Sequence, residues 1–349
     1  MTASSSTLAA RVNARRLING PVEGEFNPFI LHPIKYAFAM DAYKTGNGNH
    51  WLPEVIPMQR DIEQWQSPTG LTDDERRVVK VALGYFTTAD SIVANNLVLA
   101  VYRHITAPEC RMYLLRQAYE EAIHTNSYQY IVESLGLDEE EIFSMYRDAR
   151  AIHDKDQMTA THTPALLDPA FKTGTPEADQ QFLRELVDFY IVTEGVFFYS
   201  SFAAMLSFRQ RNLLPGTAEQ FQYIMRDESM HMNFGIDLVN GIRTEQPDLW
   251  TPDFVREVTD RVAEAAILEE QYALFMMPRG ILGLNAESFG DYTKYVADRR
   301  LASIGIAPHF GVQNPYPWMA EAIDIPKSKN FFETRVTEYR SGALQFDDF

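Results

Sequence analysis

The 349-residue sequence carries one cysteine, Cys110. A single thiol excludes a disulfide framework and any cysteine-based metal or redox site within one chain, and it suits a reducing compartment such as the cytoplasm. Cationic side chains are also scarce: 31 Lys and Arg stand against 48 Asp and Glu, a formal net charge of −17. Phosphate backbones and anionic lipid surfaces both require a basic face, so neither nucleic acid nor a membrane surface is an expected partner. Met1 to Gly20 lack the apolar core of a signal peptide. The most apolar window, Phe189 to Leu206, is long enough for a membrane span. It contains Glu194, Ser200 and Ser201, however, which marks it as a buried bundle helix. No period-two strand pattern is present, and no internal repeat beyond one four-residue motif.

What remains is helical periodicity, with 46% hydrophobic residues to fill a core. Residues 1–30 are polar and broken by Pro and Gly, and are expected as a flexible arm. Residues 31–325 are expected as one helical domain, and 326–349 as a flexible tail. Thr72 and Glu75 form a capping box that opens a helix to about His104. Pro108 starts a second helix, which runs to Leu135 and is stopped by Gly136. A shorter helix is predicted over about Asp138 to Asp154, with a loop around Pro164 and Pro169. Four more helices are predicted at about Pro176–Leu213, Thr217–Arg243, Pro252–Met276 and Glu287–Ile304.

The chain is organised around Glu121-Ala122-Ile123-His124, a Glu-x-x-His motif on the second of these helices. A second copy, Glu228-Ser229-Met230-His231, lies 107 residues further on. Residues three apart share a helix face, so each motif aims a carboxylate and an imidazole at one point. Two such helices, joined by one carboxylate from each of two others, are how four-helix bundles hold a pair of metal ions. As a tally the match is weak, since acids fill about 14% of positions (48 of 349). Context carries more weight, because both motifs sit in apolar helices that would bury the charges, and buried charges need pairing or a metal.

Asp90 and Glu194, on two other helices, complete a set of four carboxylates and two imidazoles. That donor set suits iron or manganese better than calcium or magnesium. Glu120 and Asp227 adjoin the motifs but point about 100° away, as partners of ligands rather than ligands. Tyr128 lies one turn beyond His124 on the same face, roughly 6 Å along the axis. It is either a core aromatic or a phenol close enough to an oxidised metal pair to lose an electron and a proton. Phe198, Phe202 and Ile224 would then form a dry pocket around it.

Asp90-Ser91-Ile92, Glu121 to His124 with Tyr128, Glu194 with Phe198 and Phe202, and Arg226-Asp227-Glu228-Ser229-Met230-His231 closely resemble the small, radical-generating subunit of class I ribonucleotide reductase. The likeness extends from about Trp51 to Tyr339. It implies an all-α, ferritin-like bundle with a dinuclear metal site (Fe/Fe, Mn/Fe or Mn/Mn) ligated by Asp90, Glu121, His124, Glu194, Glu228 and His231. It also implies oxidation of the cofactor by an oxygen species. The oxidising equivalent then passes to a separate large subunit, which reduces ribonucleotides to the deoxyribonucleotides of DNA replication. By the same resemblance, Trp51 links the metal site to the surface through Asp227 and His124. Tyr339 is the relay tyrosine at the subunit junction, and Phe346-Asp347-Asp348-Phe349 is the peptide that docks on the large subunit. A homodimer is implied, and an added activase is compatible.

The wording around the site is similar to the subgroup that uses a manganese–iron pair and has Phe in place of the radical tyrosine. This chain keeps Tyr128, so a tyrosyl radical and a metal-stored oxidant both stay open, and the ligand types do not separate iron from manganese. The alternative on the same bundle is a ferritin-like dimetal oxidase or monooxygenase. Those enzymes lack the combination of Trp51, Tyr128 and Tyr339.

Overall fold

The computed structural model describes residues 12, 14–20, 29–160 and 164–319, and among them the protein is all-α with no strand longer than an isolated bridge. Helices α1 (Ala37–Gly48) and α2 (Gln59–Gln66) precede the bundle. Helix α3 (Asp73–Asn96) opens with the expected capping box: Thr72 Oγ1 accepts from the Glu75 N–H while Glu75 Oε2 accepts from the Thr72 N–H. It continues through a π-helical turn, Leu97–Val101, to a last turn ending at His104. Helix α4 (Pro108–Leu135) begins on proline and ends at Gly136, whose φ of 64° is left-handed backbone that favours glycine.

The predicted helix at 138–154 is instead two short turns, Glu139–Phe143 and Met145–Asp148, followed by α5 (Arg150–Ala160). Packing overrides the local pattern there. A Cβ on Gly84 of α3 would lie 2.5 Å from Met145 Sδ, so Met145 fills that glycine notch. The chain is then extended at Ala149 and Ile152 reaches the core. Around Pro164 the expected loop contains a short helix, Pro164–Leu167, that buries Leu166.

The predicted 176–213 helix is one run in three parts: α6 (Pro176–Leu186), a π-helical segment (Val187–Phe197) and α7 (Tyr199–Gln210). All eleven residues of the π segment are buried. The run Pro176–Gln210 has the length and hydropathy to cross a membrane, but its apolar window is wholly covered by the other helices. Helices α8 (Pro215–Glu245), α9 (Pro252–Met276) and α10 (Ala286–Ser303) complete the bundle. Gly235 lets α8 meet the π segment at close range: a Cβ there would lie 2.0 Å from Cγ of Tyr190.

Part of the stretch expected as a flexible arm is fastened down. Leu17 and Ile18 are buried, the Thr106 N–H donates to the Leu17 carbonyl at 2.7 Å, and the Leu17 N–H donates to Glu245 at 3.0 Å. Tyr339 and the terminal Phe346-Asp347-Asp348-Phe349 lie outside the described residues.

Candidate metal centre

Four helical elements converge on one dry point. Asp90 comes from α3, Glu121 and His124 from α4, Glu194 from the π segment, and Glu228 and His231 from α8; all six have no solvent exposure. The six side chains form two interlocked groups, Asp90/Glu121/His124/Glu228 and Glu121/Glu194/Glu228/His231, with the donor atoms of each within 4.8 Å of one another. Glu121 and Glu228 belong to both. His124 Nδ1 lies 2.9 Å from Glu228 Oε1 and 3.5 Å from Glu121 Oε2. His231 Nδ1 lies 3.1 Å from Glu121 Oε1 and 3.4 Å from Glu228 Oε2.

The second nitrogen of each imidazole faces outward. His231 Nε2 is 2.8 Å from Glu120 Oε2, and His124 Nε2 is 3.5 Å from Asp227 Oδ2. Glu120 and Asp227 therefore each serve the imidazole on the opposite helix, as their 100° offset requires. Arg116 lies 3.1 Å from Glu120, and Arg226 lies 2.8 Å from Asp227, so each carboxylate has a guanidinium beside it. An Nε2–H held by a carboxylate leaves Nδ1 as a lone pair aimed inward, the orientation a metal-bound histidine adopts.

The oxygens divide in the same sense. Asp90 Oδ2 accepts from the Tyr128 hydroxyl at 2.8 Å, and Glu194 Oε1 accepts from Gln117 Nε2 at 2.9 Å. Asp90 Oδ1, Glu194 Oε2, both oxygens of Glu121, both of Glu228 and both inward Nδ1 atoms make no hydrogen bond among the described residues. Buried polar atoms left in this way are costly unless a ligand satisfies them.

Charge agrees with this. Burial first, then Glu121 and Glu228, pushes the Asp90 carboxyl well above the usual carboxylate range; burial and Glu228 do the same to Glu194. Burial also acts against ionised Glu121, but the two imidazoles beside it, 3.5 and 3.1 Å away, outweigh that and hold its pKa at about 2. Burial opposes charge on His124 and His231, yet carboxylate neighbours raise His124, and Tyr113 followed by carboxylate neighbours raises His231, both well above the ordinary imidazole value. Protons thus have to balance this cluster when nothing else does. Two divalent cations would neutralise four carboxylates and leave both imidazoles neutral, so the residues fit a dinuclear metal site.

Tyr128 is fully buried, with its ring stacked on Phe86 (centroids 5.3 Å apart, 17° between planes) and tilted against Phe221 at 5.9 Å. Phe198 and Phe202 also pack on Phe86, each 5.3 Å from it. Ile224 is buried on α8. Phe86, Phe221 and Gln117 were not singled out from the sequence. Gln117 and Phe221 had a usable signal, since they lie one turn before Glu121 and three residues before Ile224; Phe86, four before Asp90, had the same. Trp51 is buried, and its Nε1–H donates to Asp227 Oδ2 at 2.8 Å. Asp227 Oδ2 therefore lies within reach of both the indole and His124.

The family description that matches the chain is "Ribonucleotide reductase, small chain", over residues 28–315. The chain is 51% identical over 313 residues to the ribonucleoside-diphosphate reductase subunit beta of Chlamydia pneumoniae, covering 90% of each. It is 31% identical over 315 residues to the ribonucleoside-diphosphate reductase small chain 1 of Saccharomyces cerevisiae, covering 90% of this chain and 74% of the yeast protein. Among solved structures, the ribonucleotide reductase R2 subunit of Clostridium botulinum superposes with a TM-score of 0.79 at 27% identity, covering 88% of this chain and 94% of that one.

Proposed function

The chain belongs to the ribonucleotide reductase small-chain family, class I, and from that premise we propose that Asp90, Glu121, His124, Glu194, Glu228 and His231 hold two ions of iron or manganese. The observation that carries this assignment is the pair of interlocked groups sharing Glu121 and Glu228, whose oxygens and Nδ1 atoms have no other partner among the described residues. When bound, the metal pair supplies the oxidising equivalent that this subunit generates for its large-subunit partner.

The chain's own residues then have separable tasks. Glu120 and Asp227 fix the tautomer of the imidazoles by accepting their Nε2 protons. Gln117, oriented by the Tyr190 hydroxyl at 3.0 Å, occupies one oxygen of Glu194 and leaves the other for a metal. Tyr128 is the phenol that carries the equivalent. Its hydroxyl proton already rests against Asp90 Oδ2, and the rings of Phe86 and Phe221 exclude water from it. Phe198 and Phe202 support that packing through Phe86, with Ile224 as part of the same apolar pocket. Trp51 and Asp227 open the route toward the surface, and Tyr339 continues it to a large subunit docked on the terminal Phe346-Asp347-Asp348-Phe349. The working unit is a cytoplasmic homodimer bound to that large subunit.

Metal content together with an electron paramagnetic resonance spectrum after loading under air tests the reading. About two ions per chain with an organic-radical signal that disappears in Tyr128→Phe, while metal content holds, is the expected result. Full activity of Tyr128→Phe with a large subunit would move the oxidising equivalent onto the metals and leave Tyr128 a bystander.

A further inference from the structure

Lys155, on α5, is fully buried and stands outside the carboxylate–imidazole cluster. Its Nζ lies 2.6 Å from Glu269 Oε2 on α9, and it donates a 2.9 Å hydrogen bond to the carbonyl of Phe197. The ammonium also sits over the rings of Tyr85 at 3.5 Å and Tyr272 at 3.9 Å. Glu269 in turn accepts from the hydroxyl of Ser200. A buried ion pair is a weak source of stability, because desolvating two charges offsets their attraction and apolar residues of similar volume do as well. What the pair touches is therefore more informative than its strength.

It grips one place in the chain from both sides. Phe197 is the last residue of the π segment, and Ser200 lies in the first turn of α7. Between them Phe198 marks the point where π-helical backbone gives way to α. A second buried cation acts just before it: Arg300 of α10 donates from Nε to the carbonyl of Gly195 at 2.9 Å. Two carbonyls at the C-terminal end of the π segment thus receive bonds from side chains of other helices. Glu194 lies one residue before the first of them and three before the second.

π-Helices are rare and mostly limited to single turns, so an eleven-residue segment needs outside support to keep its register. If the extra residue of that register moved past Glu194, the side chain would swing by about 100° and its carboxylate would leave the cluster. We propose that the Lys155–Glu269 pair, helped by Arg300, is a positioning device that pins the end of the π segment and so aims Glu194 at the second metal group. This role rests on the cluster being the two-ion site proposed above.

The test is equilibrium binding of Mn(II) alone to the full-length metal-free chain, read by electron paramagnetic resonance as free, singly bound and exchange-coupled ion. Lys155→Met strands the Glu269 charge, so the informative variant is Lys155→Met/Glu269→Met, which removes both charges and roughly keeps the volume. Helical content and the first Mn(II) equivalent should match the parent. The second equivalent should bind about tenfold more weakly, the lower end of what a supporting residue costs a metal site, and the coupled signal should fall with it. Parental affinity for both equivalents, or equal weakening of both, would overturn the proposal, because a purely structural pair does not single out one site. Should the double variant not fold, Arg300→Met decides by the same criterion. A parent chain that takes up no Mn(II) would overturn the two-ion reading itself, before any variant is compared.

Discussion

Glu121 and Glu194 show how the position of one side chain sets its consequence. Glu121 stands between both imidazoles and belongs to both donor groups, whereas Glu194 belongs to one. Glu121→Ala should therefore abolish uptake of both ions, while Glu194→Ala should spare the first equivalent and lose the second. Metal analysis after dialysis reads the difference, and retention of two ions by Glu121→Ala would refute its shared role. Glu121 was legible in the sequence because helix geometry converts a spacing of three into a common face, and Glu194 because it is an acid set in an apolar helical window. Gln117, Phe86 and Phe221 were harder to see. Their identities are those of ordinary helix residues, and only the approach of α3, the π segment and α8 gives them Glu194 and Tyr128 as neighbours.

At the scale of elements, the end signals worked where chemistry is local. The Thr72–Glu75 box and the left-handed Gly136 fall where the residues place them. They failed where packing decides, as at Ser144 and Ala149, and they gave no hint of the π segment. Tyr190 of that segment presses on Gly235 of α8. Gly235→Ala would gain up to about 1 kcal/mol of helix propensity but force overpacking that costs about 1–3 kcal/mol. Net destabilisation is expected, seen as a lower urea midpoint at constant slope. An unchanged midpoint would mean Tyr190 moves aside freely.

Across the whole molecule, several acids are buried at the expense of their charge. Burial raises Glu185 to about 8, with Asp188 adding to it, and raises Asp156 to about 7. Each keeps a proton in the folded state that the unfolded chain releases above roughly pH 4–4.5. The folded state therefore binds more protons across that window, and stability falls as pH rises toward about 8. The net charge of −17 acts in the same direction through self-repulsion. Metal-free protein should melt at a higher temperature at pH 6 than at pH 8, and a rise in melting temperature over that interval would contradict these assignments. Deleting residues 340–349 should leave metal content and radical yield intact but stop deoxynucleotide formation with a large subunit. Undiminished turnover would rule out the tail as the docking peptide.

The sequence by itself determined the all-α class, the six metal-ligand candidates, the outward partners Glu120 and Asp227, and the family. Each depends on residue identity read at a helical period, which is local information. Tertiary structure alone decided which oxygens stay free for metal, which rings enclose Tyr128, where Met145 and Gly84 break a helix, and that Glu194 rides on π-helical backbone held by Lys155 and Arg300. Those outcomes depend on contacts between residues far apart in the chain, whose energies no local pattern records.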